Sequence, residues 1–274
     1  SKDSSSSFHK LRLVAESKSV QQQFLLLAKN DAADLPRSPS RSQPHVVDAD
    51  AMPSLGSTRV TGGPTEDWEV GGEGGGVLAG WIADAGVAEG LHVQRTSIPG
   101  VAQRPGATTY HLEILPRPEA NEGLAKPVLA LNPAPGCVDV LIGTELLETA
   151  RMVQAGFSTP DRTLLIGVVR RVFTVAEKAA MGDGRLDPDR LEAIARTFSK
   201  SALIGDLDDL AKRAGSHLNA VLLGTLAGSG ALPIPPDRYR DAIRPGGKAV
   251  DSNLLGFDAG LPFHASGVDA NHAQ

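Results

Sequence analysis

A single cysteine, Cys137, stands among 274 residues. One thiol can form no internal disulfide, and it cannot supply the several thiolates that an iron–sulfur cluster requires. Aromatic residues amount to only 4%, so a core has to be assembled from Ala, Val, Leu and Ile, as in layered helix-and-sheet folds with aliphatic buried strands. The longest apolar run, Phe24 to Ala28, falls far short of the roughly 20 residues that cross a bilayer. An excess of positive charge is missing too. The 27 Lys and Arg against 32 Asp and Glu leave a net charge of −5, which gives no electrostatic footprint for nucleic acid or an anionic membrane. His92, His111 and His217 lack metal-ligand spacing, so each reads as a hydrogen-bonded structural histidine and no metal is assigned. Ser97 and Ser229 lack the G-x-S-x-G context of a hydrolase, and Cys137 reads as a small buried residue, so no catalytic residue is assigned either.

What is present divides the chain in three. Residues 1–66 carry Ser4 to Ser7, a polar, helical-looking piece from Phe8 to Lys29 and the Pro/Ser/Arg run Leu35 to Ser42. That composition reads as a flexible or docking arm with little apolar surface to bury. The start at Ser1 rather than Met leaves processing or an upstream region open, and no secretory signal is recognisable. A cytoplasmic location follows as the expectation, with an organellar matrix as the alternative. From Trp68 the pattern alternates. Val77, Leu78, Trp81 and Ile82 recur at helical spacing; His92 to Thr96 and Thr108 to Leu115 read as strands. Val138 to Gly143 reads as a buried parallel strand, followed by a helix from Glu145 to Ala155. Arg162 to Val169 is a further strand, Asp187-Pro188 starts a helix, Ser201 to Ile204 is a short strand and Leu207 to Ala214 a helix. Leu218 to Ala227 and Arg238 to Ile243 look like packing helices separated by Gly228-Ser229-Gly230, and residues 259–274 read as a tail. The expected class is α/β, Rossmann-like, with a mainly parallel sheet and helices on both faces, plus a largely irregular N-terminal arm.

Two loops carry candidate chemistry. Gly71-Gly72-Glu73-Gly74-Gly75-Gly76 precedes the first amphipathic helix, where backbone N–H groups can converge on an anion at the helix N-terminus. Glu73 places a carboxylate at the middle position of G-x-G-x-x-G, against a pyrophosphate. The alternative is that these glycines only allow neighbouring backbone to come close. The second loop, Pro99 to Gly106, holds Gln103 and Arg104; the planar guanidinium fork suits a phosphate or carboxylate, or equally an interface salt bridge. Glu145, just past a strand, stands either at a ligand edge or only facing a helix dipole.

Gly71 to Val77, Pro99 to Gly106, Val138 to Glu145 and Asn219 to Gly224 resemble the gamma domain of 2-oxoacid:ferredoxin oxidoreductases. Ser97 to Arg104 and Ala179 to Arg185 are similar to the bacterial indolepyruvate branch, the likeness covering residues 67–258. The resemblance implies a gamma-type subunit without clusters of its own, whose partner carries thiamine diphosphate, magnesium and iron–sulfur clusters and passes electrons to ferredoxin or another acceptor while an acyl group goes to coenzyme A. It implies binding positions at Gly71, Gly74, Gly75, Gly76, Gln103, Arg104 and Glu145, with coenzyme A as the ligand to be contacted. Members of that branch continue into a further domain, so a truncated or specialised subunit is expected. The residues alone leave open a coenzyme A or nucleotide-binding module and a ligand-free structural subunit of a large complex.

Overall fold

The computed structural model describes residues 11–17, 75–99, 108–115, 130–170 and 187–267. Six strands form one sheet: β1 (Leu11–Ser17), β2 (His92–Pro99), β3 (Thr108–Leu115), β4 (Val140–Gly143), β5 (Leu164–Val168) and β6 (Ser201–Gly205). Their spatial order is β2-β3-β1-β4-β5-β6. The β1–β4, β4–β5 and β5–β6 pairs are parallel, and β1–β3 and β2–β3 antiparallel. The sheet is thus mainly parallel, with an antiparallel hairpin on one side.

The strand periodicity sorts the aliphatic residues between two layers of helices. Val140, Ile142, Ile166, Val168 and Leu203 enter a core shared with α1 (Gly75–Ala88), α4 (Leu207–Arg213), α5 (Leu218–Ser229), α6 (Pro236–Ile243) and α7 (Val250–Gly260). Leu141, Leu165 and Ile204 face the other way, onto Met152 and Val153 of α2 (Leu146–Gln154) and Ala195 of α3 (Pro188–Thr197). Helices therefore cover both faces, as the strand-and-helix alternation predicts. Asp187 caps α3 through its Oδ1, which accepts from the Asp189 N–H at 3.0 Å with Pro188 in the first turn.

Two expectations are corrected at the ends of the chain. Within the arm of residues 1–66, Leu11–Ser17 is a strand and not part of a helix, and it sits inside the sheet rather than outside the fold. Leu11-Arg12-Leu13-Val14 fits both periods over so short a window, and pairing on both edges, with Leu13 fully buried, decides for the strand. The remainder of that arm lies outside the described residues. At the other end, α7 runs to Gly260, and α8 (Phe263–Gly267) lays the Phe263 ring where a Cβ on Gly205 would stand, so residues 259–267 are no tail.

Helix α7 itself has no sequence signature, because it packs by its glycines. A Cβ on Gly224 would collide with the backbone carbonyl of Phe257, one on Gly228 with that of Leu261, and one on Gly260 with that of Val221. The contacts advance together along both helices, so α5 and α7 run parallel with backbones in touch. Gly228 accordingly belongs inside α5, and only Gly230, at φ 64, ends it.

Backbone amides of Leu11–Ser17 should exchange slowly by hydrogen–deuterium mass spectrometry, since both edges of the strand are paired. Leu13→Ala is expected to lower the unfolding free energy by about 2–5 kcal/mol in urea. Gly224→Ala should cost at least about 1–3 kcal/mol by the same measurement, because backbone rather than a flexible side chain must move.

Candidate functional site at the carboxyl edge of the sheet

The pairing register lines up one edge of the sheet. Pro99 pairs with Thr108 and Thr108 with Ser17; Glu16 pairs with Gly143, Gly143 with Gly167, and Val168 with Gly205. The carboxyl ends of β1, β2, β4, β5 and β6 and the start of β3 therefore share this edge, where open α/β sheets hold their ligands. The chain leaves it through segments that the sequence singles out, residues 100–107 from Pro99 to Thr108 and Thr144-Glu145 after Gly143, and through Arg170 after β5.

Helix α1 begins near the same edge. Gly75, its first residue, is buried, and an added Cβ on Gly76 would stand 3.3 Å from the Tyr110 hydroxyl. Tyr110 pairs with Ala15 and Ser97, two positions in from the edge. Glycine at 76 thus lets a tyrosine ring, a side chain rather than neighbouring backbone, lie across the helix start. The first turn of α1 also carries no acidic side chain, so no carboxylate within it opposes an anion at the positive end of the helix dipole. No motif in the sequence singles out Tyr110, although its alternation with Leu112 and Ile114 marks it as turned towards α1. Gly71, Gly74, Gln103 and Arg104 lie outside the described residues.

Glu145 is the N-cap of α2. It is 2% exposed, and its Oε2 accepts from the Glu148 N–H at 2.9 Å. The turn that leads into it is tight, because a Cβ on Gly143 would run into the Thr149 side chain. The Thr149 hydroxyl donates to the Glu145 carbonyl at 2.8 Å, and the Leu146 N–H donates to the Arg170 carbonyl at 3.0 Å. The amides at the start of α2 are therefore largely engaged within the chain. Around them the charges are paired: Arg151 Nη1 meets Glu148 Oε2 at 2.5 Å, Lys212 meets Asp208 at 2.9 Å, and Arg170 lies 3.9 Å from Asp208. Asp206 caps α4 by accepting from the Asp209 N–H at 2.9 Å. Among the described residues no group of three or more His, Cys, Asp or Glu side chains is placed to hold a metal ion, and no helix is long and apolar enough to cross a membrane.

These features define an open α/β protein with its loops gathered at one sheet edge. The family model described as pyruvate ferredoxin/flavodoxin oxidoreductase matches residues 68–263, and the chain belongs to that family. The match begins after β1, so the strand that completes the sheet lies outside it. The chain is 28% identical over 204 residues to indolepyruvate oxidoreductase subunit IorB of Archaeoglobus fulgidus, covering 72% of this chain and 93% of the relative. Among solved structures it is similar to pyruvate oxidoreductase subunit PORC of Thermotoga maritima, with a TM-score of 0.48, 12% identity and coverage of 92% and 95%. It is also similar to the gamma subunit of a keto/oxoacid ferredoxin oxidoreductase of Geobacter sulfurreducens, with a TM-score of 0.46, 16% identity and coverage of 72% and 94%.

Glu145→Ala removes the cap of a buried helix start and is expected to lower the unfolding free energy by about 0.5–2 kcal/mol in chemical denaturation. Unchanged stability would show that the carboxylate serves something other than α2.

Proposed function

We propose that this chain is the cluster-free, gamma-type subunit of an indolepyruvate, or other arylpyruvate, ferredoxin oxidoreductase. Family membership and the 28% identity to a subunit named for indolepyruvate support the reading. The observation that carries it is the carboxyl edge, which draws the start of α1 and the ends of the 100–107 connection to one place. With one cysteine in its sequence, the chain leaves cluster ligation, and thiamine diphosphate with its magnesium, to a partner subunit that passes electrons to ferredoxin or another acceptor.

Coenzyme A is the ligand this edge suits. Its phosphates would meet the glycine-rich start of α1 and the Tyr110 hydroxyl, and Arg104 would close on them from the connecting loop through its two parallel donors. Glu73 opposes that approach electrostatically. Thiamine diphosphate, when bound by the partner, supplies the electron sink for decarboxylation; this chain's share is to orient the acyl acceptor beside it.

Purifying the full chain from its native source and identifying the co-purifying subunits by mass spectrometry tests the assignment, with a thiamine- and cluster-bearing subunit expected. Titration calorimetry of that complex with coenzyme A should register binding. Arg104→Ala should weaken it by roughly ten- to hundredfold, the scale of a lost charged contact. A surface control, Arg213→Ala, should leave it unchanged. Glu73→Gly should leave the affinity equal or higher. A stable complex that ignores coenzyme A would instead favour the ligand-free structural subunit.

A further inference from the structure

We draw no further inference here: the strongest candidate, the buried pair His111 and Glu113 on the face of β3 turned away from α1, carries nothing, because beyond the crossing of Ala130 and Leu131 held by Gln94, Thr96 and Glu113 the described residues do not show what covers it.

Discussion

Two ladders of backbone hydrogen bonds meet on β1, antiparallel to β3 on one side and parallel to β4 on the other. Within the sheet, no other described strand joins the hairpin half to the parallel half, so the strand alignment of the carboxyl edge passes through seven residues, Leu11–Ser17. Were β1 to slip by one position, every side chain on it would change faces, and Leu13 would leave the core. Tyr110 would also lose its place relative to Gly143, because β3 and β4 are each aligned through β1. The relation between the glycine start of α1 and the loop of Glu145 is therefore a property of that register.

This strand is the least legible element in the sequence. Its neighbourhood is polar and serine-rich, and its own seven residues satisfy a helical and a strand period alike, so only the partners on both sides reveal it. Thr108–Leu115 can be read directly, since aromatic and β-branched residues precede Pro116. So can the start of α3, where Asp187-Pro188 combines cap and first-turn proline. Helix α7 is hidden for the opposite reason to β1. Amphipathic periodicity is the mark of a helix buried by several large side chains, and this one buries only Phe257 of that kind, the rest of its buried face being Asn253, Gly256 and Gly260.

At the site, the sequence distinguishes which loops matter better than what their residues do. It marks Gly76 and Glu145 as binding positions, and the structure gives each a local role, since one admits the Tyr110 ring and the other caps α2. The sequence leaves a local reading open at both, glycine for close approach and a carboxylate facing a helix dipole, but not the partners, Tyr110 in the first case and the Glu148 amide in the second. The two helix starts at this edge consequently differ. That of α2 has its amides engaged by Glu145 and by the Arg170 carbonyl, while that of α1 is built from glycine and bare of acids.

The glycine contacts between α5 and α7 act as a ratchet. Sliding α7 along α5 by one helical turn, about 5.4 Å, would bring a side chain where only a hydrogen now fits, so intermediate positions are closed to it. The C-terminal part of the chain is thereby indexed to the sheet: α7 is held by α5, and α8 follows with Phe263 seated over Gly205 at the end of β6. A displacement at the carboxyl edge near Gly205 cannot be absorbed by easing one helix past the other. It would have to carry α5, α7 and α8 together, as a single lever.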